Sequence, residues 1–461
     1  MKAAARRPLG DTGLGCAPVG FGGYRIASAS DEHKAALEAY LEAGGNLIDT
    51  SANYGAGDSE RLIGRVLRNR PRDAAIVVTK AGYIQGQSKL VALQSGVPEI
   101  VHYAPDVWHC IHPDFLSSQI DASLDRLGRH SIDVFLLHNP EYFLLERHKR
   151  QVARPDDRAE FDRRIRAAFA FLEEEVGKGR ISWYGVSSNR FAYSGSDPTA
   201  TSVPRMLALA RELSARHHFR VVQLPLNLYE SDAALEPCCG GLTVLEFCRD
   251  HGLGVLVNRP LNAVVGDRLI RLSDAPIPDV PAGSLPALVQ RLRQHEEEFA
   301  RRFDFPLMQA GTGLAGWLGP ALVGLDSADA FRASVQQAVV PAVNTWLFNA
   351  DKALGPTPGF RAWKRSFTDH LDALLRAAEV SIQKGHAHLA GQIRQRLLES
   401  GLAARGAPLS QLALAVLLAQ EGVSAVLNGM RTPAYVRDSL SSLLLEVGDA
   451  RAILAAFRAV A

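Results

Sequence analysis

Short apolar runs that end on a polar residue recur along this 461-residue chain, and stretches with helical spacing separate them. Leu47-Ile48 runs into Asp49, Ala75-Ile76-Val77-Val78-Thr79 into Lys80, and Ile132-Asp133-Val134-Phe135-Leu136-Leu137 into His138. Behind Ser30, the residues Ala36, Leu37, Tyr40 and Leu41 follow a helical period, and Gly44-Gly45 supplies the stop. The pattern predicts strands at 17–21, 47–49, 75–79, 132–137, 181–186, 220–224, 253–257 and 423–427. Further helices are predicted at about 59–67, 113–127, 160–178, 204–216, 243–251, 410–420 and from 433 onward. Eight strand–helix units argue for an α/β fold of the (β/α)8 TIM-barrel type over an open doubly wound sheet. Arg7-Pro8-Leu9-Gly10-Asp11-Thr12-Gly13-Leu14 places turn residues between short apolar pieces, so an N-terminal β-hairpin should precede the first strand. In a parallel barrel the carboxyl ends of all strands share one face. Asp49, Lys80 and His138 should therefore meet there, joined by Tyr54, which follows Asp49 in a segment of small polar residues.

Two connections are too long for ordinary loops. One, from Gly82 to about His112, follows the third strand; the other, 262–408, separates strands seven and eight. Within the latter, Leu285, Leu288, Val289, Leu292, Phe299 and Phe303 mark one amphipathic helix. Phe367, Leu371, Leu374, Leu375, Ala378, Ile382, Leu389, Ile393 and Leu397 mark a long helical tract, and Trp317, Trp346 and Trp363 can furnish a core. The chain reads as one barrel domain over 1–461 with an inserted helical subdomain at 262–408. Since the insertion follows a strand on the polar-residue face, it is expected as a lid over that face, or else as a partner-binding or oligomerisation subdomain.

Charge and composition narrow the partners. Fifty-one basic residues against 49 acidic ones make no case for nucleic acid or an anionic membrane, and no run is long and apolar enough for a bilayer span. The N-terminal stretch 1–7 lacks the apolar region of a signal peptide, and five cysteines form no paired framework, so a cytoplasmic protein is expected. The adjacent Cys238 and Cys239 read as two small buried residues in preference to a redox device. His102, His109 and His112 lie close in sequence, but without ligand spacing or further donors no metal is expected.

These residues resemble the aldo-keto reductase family over nearly the whole chain outside the insertion. The family's catalytic Asp, Tyr, Lys and His match Asp49 in Asn46-Leu47-Ile48-Asp49-Thr50, Tyr54 in Asn53-Tyr54-Gly55, Lys80 in Val78-Thr79-Lys80 and His138 in Leu136-Leu137-His138-Asn139-Pro140. Ser123-Leu124-Asp125-Arg126-Leu127, Gly185-Val186-Ser187-Ser188-Asn189 and Gly429-Met430-Arg431-Thr432-Pro433 are also family-like. The resemblance implies a nicotinamide cofactor held by a Ser-Asn pair, for which Ser188 and Asn189 are the preferred register, and by Gln223. Where many members carry a stacking Tyr, this chain has Asn258-Arg259-Pro260-Leu261, and Arg259 is expected to serve the pyrophosphate or the substrate. Arg431 resembles the base that meets the adenosine phosphate, with Asp438 as the adenine-side acid. The set points to NADP, with NAD left open.

Hydride transfer to a carbonyl leaves an alkoxide that needs a proton, and a tyrosine is a suitable acid once its pKa near 10 is reduced. Lys80, held by Asp49, is expected to lower it, and His138 to donate to the carbonyl oxygen. The implied function is interconversion of an aldehyde, ketone or sugar carbonyl with its alcohol. The competing expectation is a regulatory barrel that keeps a cofactor as a sensor, similar to the channel-associated subunits of the superfamily, with the insertion docking a partner. Substrate identity and oligomeric state are not legible at this level.

Overall fold

The computed structural model describes residues 5–152, 154–266, 268–274, 284–308, 313–323, 328–355, 357–403 and 406–459. Residues 1–4 of the stretch read for a targeting signal lie outside the described residues. Two compact units divide the chain, one formed by Met1–Ala263 with Arg396–Ala461 and the other by Val264–Gln395.

The first unit is a closed barrel of eight parallel strands in sequence order: β1 (Val19–Gly22), β2 (Leu47–Asp49), β3 (Ile76–Ala81), β4 (Ile132–His138), β5 (Ile181–Ser187), β6 (Phe219–Pro225), β7 (Gly254–Asn258) and β8 (Ala425–Gly429). Its interior is filled by alternate side chains, among them Leu47, Val78, Val134, Leu136, Val221, Leu256 and Leu427. The predicted hairpin is present as Arg7–Pro8 paired with Gly15–Cys16, and its Leu9 and Cys16 join this same core. At β5 the backbone approach tolerates only glycine, since a Cβ on Gly185 would lie 1.7 Å from the Val221 carbonyl oxygen.

Helix starts follow the capping residues. Ser30 accepts from the amide of His33 ahead of Asp31–Glu42, and Thr243 with Glu246 forms a capping box ahead of Val244–Asp250. Helix Pro113–Leu127 falls where the periodicity puts it. The 82–112 connection departs from expectation: it is not a plain loop, but holds a three-stranded antiparallel sheet (Tyr83–Ile84, Val107–His109, Val101–Ala104) and a helix, Gln87–Ser95. The 262–408 insertion also differs, opening on a two-stranded ribbon, Asn262–Val265 with Arg268–Arg271, before its helices.

The second unit packs helices Leu285–Arg302, Gly313–Val323, Ala328–Ser334 and Val340–Leu354 with the greater part of Phe360–Glu399, a 40-residue helix. Aromatic rings make its centre, with Trp363 at 4.6 Å from Phe299 and 4.9 Å from Phe367, centroid to centroid. Polar groups there are matched locally: the Trp363 indole donates to the His295 carbonyl, and the buried Glu296 carboxylate accepts the amides of Leu314 and Ala315 at the start of a helix. Among the described residues, no helix is long and apolar enough to cross a membrane.

Candidate active site

The ladder registers bring the strand-end polar residues to the same end of neighbouring strands, stepping by two residues from β2 to β3 and again from β3 to β4. Asp49 pairs with Gly22 and Val78, Lys80 with Leu136, and Ser187 with both His138 and Gln223. Lys80, fully buried, places Nζ 2.8 Å from Asp49 Oδ1, 2.7 Å from the Thr50 carbonyl and 3.4 Å from Tyr54 Oη. Tyr54 reaches this point through consecutive turns after β2, where Gly55, Ala56 and Gly57 all have positive φ. A Cβ on Gly57 would strike the Arg126 side chain at 2.5 Å. That arginine bonds Glu60 Oε2 at 2.6 Å, and Glu60 Oε1 accepts from Thr79, the residue before Lys80. The Ser123-to-Leu127 motif thus acts on the site through Glu60.

Asp49 and Lys80 are both removed from water. Burial pushes the Asp49 carboxyl up and the Lys80 amine down, and their mutual attraction opposes both shifts. The close contact, with a further hydrogen bond from Gln223 Nε2 to Asp49 Oδ1 at 2.7 Å, favours the charged pair. The Tyr54 hydroxyl departs from expectation: it lies well above its ordinary value, raised first by burial and then by Asp49 and Tyr24. The proximity of Lys80 does not overcome loss of water. His138 is driven well below the ordinary histidine value by burial, then by Lys80 and His109, so its imidazole is neutral. Its Nδ1 lies 3.1 Å from Ser51 Oγ, and its ring packs edge-on against Tyr54 at 6.0 Å and Tyr83 at 4.8 Å.

The residues expected to hold a cofactor divide. Gln223 joins the cluster, and Ser187, not the preferred Ser188, donates to it, at 3.2 Å from Oε1. Ser188 Oγ is turned to Thr201 Oγ1 at 2.7 Å, and the Asn189 amide donates to Glu141. Arg259, with φ of 52°, is paired with Glu230 at 2.5 Å; its Nε and the neighbouring Asn258 Oδ1 are buried without a hydrogen-bond partner. Arg431 precedes Thr432, the cap of helix Pro433–Ser441, and makes no ion pair among the described residues. Asp438 accepts from Ser410 Oγ and Gln411 Nε2 at 2.7 and 2.8 Å, one bond on each carboxylate oxygen, and so ties two helices together.

Ser51, Tyr83 and Asn139 were not singled out from sequence as site residues. Asn139 donates to Tyr83 Oη at 2.7 Å, fixing that ring against His138. Their signal was position, since each lies within three residues of a strand-end site residue; Tyr83 follows Lys80 by three. The three histidines serve elsewhere: His109 Nε2 bonds the His138 carbonyl at 2.7 Å, His102 packs on Trp108, and His112 caps a helix.

Among curated proteins, the chain is 30% identical over 194 residues to a D-threo-aldose 1-dehydrogenase of a Pseudomonas species, covering 40% of this chain and 53% of that one. It is 28% identical over 139 residues to an NADH-specific methylglyoxal reductase of Escherichia coli (strain K12), covering 28% and 40%. The matches thus span about half the length of these relatives. The holo form of aldo-keto reductase AKR11C1 from Bacillus halodurans shares the fold, with a TM-score of 0.52 and 16% identity over 98% of this chain and 96% of that one. With strand-end residues so gathered and the aldo/keto reductase family model matching residues 18–267, the chain belongs to the aldo/keto reductase family.

Proposed function

We propose that this protein is an NADP(H)-dependent oxidoreductase that interconverts a carbonyl and an alcohol, with a sugar or other small hydroxy-carbonyl compound as substrate. The observation that carries the reading is the buried Asp49–Lys80 pair, whose ammonium lies 3.4 Å from Tyr54 Oη. When bound, the nicotinamide supplies or accepts the hydride. Tyr54 gives its proton to the nascent alkoxide, and its raised pKa keeps that proton in place until negative charge develops next to it. Lys80 stabilises the phenolate left behind, and Asp49 and Gln223 hold Lys80 charged and aimed. Neutral His138 orients the carbonyl and shares the developing charge. For the cofactor, Gln223, Ser187 and Asn258 offer amide and hydroxyl partners, with the unpartnered Asn258 Oδ1 in want of a donor. Arg431 at a helix start suits the adenosine phosphate. The aldose dehydrogenase relative supports a sugar, whereas the NADH-specific relative keeps NAD open.

The test is a fluorescence titration with NADPH and with NADH, followed by a panel of aldehydes, ketones and aldoses. Binding of either cofactor with turnover of at least one panel member is expected. Arg431→Ala should weaken NADPH by about tenfold and leave NADH nearly unchanged. Failure to bind either cofactor would overturn the reading, and equal losses would remove Arg431 from the phosphate.

A further inference from the structure

Cys238 and Cys239 lie in the connection between β6 and helix Val244–Asp250, with their sulfurs 3.9 Å apart. Successive side chains on an extended backbone point to opposite sides, so this approach is a property of the loop. The Cys238 amide bonds the Glu236 carbonyl at 2.8 Å. The Cys239 amide bonds the Leu242 carbonyl at 2.8 Å, and Leu242 returns the bond at 3.4 Å. Between them, Gly240 and Gly241 turn the chain with φ of 67° and 94°, values glycine adopts without strain. Cys239 is 5% exposed and Cys238 is half-buried, so Cys238 is the more accessible of the two residues.

We propose that Cys238 and Cys239 form a reversible two-thiol redox site, closed to a vicinal disulfide by hydrogen peroxide and reopened by a small thiol. The Cys238 sulfur attacks one peroxide oxygen, the O–O bond breaks, water leaves and Cys238 becomes a sulfenic acid. The Cys239 sulfur then forms the S–S bond and displaces that oxygen, which leaves as a second water carrying the Cys239 proton. Two thiols and one peroxide give one disulfide and two waters; the sulfurs together lose the two electrons that the peroxide gains. Closure brings the sulfurs from 3.9 Å to about 2.0 Å. The order of attack follows from exposure, and the hydrogen bond from the Cys239 thiol also favours a thiolate at Cys238 while burial and the same bond oppose one at Cys239. Cys238 Sγ also donates to the Phe191 carbonyl at 3.7 Å, two residues beyond Asn189, and the disulfide removes that donor. Oxidation therefore reaches the segment that follows β5.

The reduced full-length protein would be treated with one equivalent of hydrogen peroxide, unfolded, alkylated with iodoacetamide and digested for mass spectrometry. The peptide carrying both cysteines should be lighter by two hydrogens, with neither sulfur alkylated, and dithiothreitol before alkylation should restore both sites. In Cys239→Ser the reaction should stop at a Cys238 sulfenic acid trapped by dimedone, and in Cys238→Ser oxidation at Cys239 should slow by about tenfold or more. Full alkylation of both after peroxide, a disulfide from either to Cys248, or sulfinic Cys238 beside an alkylatable Cys239 would each overturn the proposal. Undiminished oxidation of Cys239 in Cys238→Ser would overturn the order of attack.

Discussion

The barrel unit and the helical unit bury polar groups to different ends. Around the barrel core of small aliphatic side chains, Asp49, Lys80 and Gln223 are buried at the strand ends, linked to one another and to a tyrosine in an arrangement that no strand requires for its own pairing. In the helical unit a cluster of aromatic rings sits among aliphatic core side chains, and a buried carboxylate, Glu296, is used on two backbone amides that a helix start leaves open. A buried charge that completes the backbone speaks of folding. One that is held by other side chains next to a titratable hydroxyl speaks of chemistry.

The widest separation should come from removing the centre of the aromatic core. Trp363 is 3% exposed and contacts Phe299, Trp346, Phe360 and Phe367, so Trp363→Ala should cost the helical unit about 3–5 kcal/mol. Calorimetry should show one unfolding transition moving down while the barrel transition stays in place. A single transition that shifts as a whole would show that the two units melt together. On the barrel side, Tyr54→Phe keeps the ring and deletes only the hydroxyl near Lys80. Turnover should fall by about a hundredfold or more with cofactor affinity nearly unchanged. Retained turnover would take the proton-transfer role away from Tyr54. The raised pKa of Tyr54 has a sign as well: reduction needs the protonated phenol, so the reduction rate should stay flat across neutral pH and decline only in alkali.

Why the barrel was readable from sequence and the insertion less so follows from the same contrast. A parallel strand buried on both faces is a continuous apolar run, and the residue that ends it stands out, which is how Asp49, Lys80 and His138 were found. Most strand termini move by one or two residues because pairing with neighbours, not composition, decides them: Val423 and Ser424 lie outside β8, which instead reaches Gly429. The choice between Ser187 and Ser188 turned on the pleat. One faces Gln223 and the next faces Thr201, and two identical residues in a row carry no signal of which is which. The helix contact of Asp438 with Ser410 and Gln411 was hidden for a related reason, because a helical acid looks the same whether it meets a ligand or a neighbouring helix. In the 82–112 segment, strands of two to four residues are too short to show a period.

Glu141 gives a smaller effect that belongs to stability. Buried beneath the segment after β5, it accepts from the Asn189 amide with Oε1, leaves Oε2 without a partner, and burial raises its pKa from 4.5 to about 7. The folded state thus holds a proton that the unfolded chain gives up at lower pH. Its contribution is fully present below about 4.5 and is lost as pH rises through about 7. Glu141→Gln keeps the acceptor and removes the charge, so it should stabilise the barrel at pH 8 by on the order of 1–3 kcal/mol and leave it unchanged at pH 4. Equal melting temperatures of the two proteins at pH 8 would show that the carboxylate finds solvent when ionised.

Ser51 should give the smallest change, and it bears on how finely the barrel site is set. A neutral imidazole carries one proton, and His138 can present a donor from Nε2 to a carbonyl only if Nδ1 is the acceptor. The Ser51 hydroxyl lies 3.1 Å from that Nδ1, but also 3.1 Å from the Lys80 carbonyl oxygen and 2.6 Å from the Asn53 side-chain oxygen. It has a single hydrogen to give. Directed at Nδ1, that hydrogen holds the ring proton on Nε2; directed at either oxygen, it leaves Nε2 bare. The proposed donor role of His138 therefore requires the first arrangement, with Asn53 turned to offer its amide hydrogens to Ser51. Ser51→Ala would release the ring to either tautomer, a loss of about 1 kcal/mol for one neutral hydrogen bond, or roughly a fivefold drop in kcat with cofactor affinity intact. Nitrogen chemical shifts of His138 should move from the Nε2–H pattern toward a mixture. An unchanged rate together with unchanged shifts would mean that the tautomer is set by the substrate itself and not by Ser51.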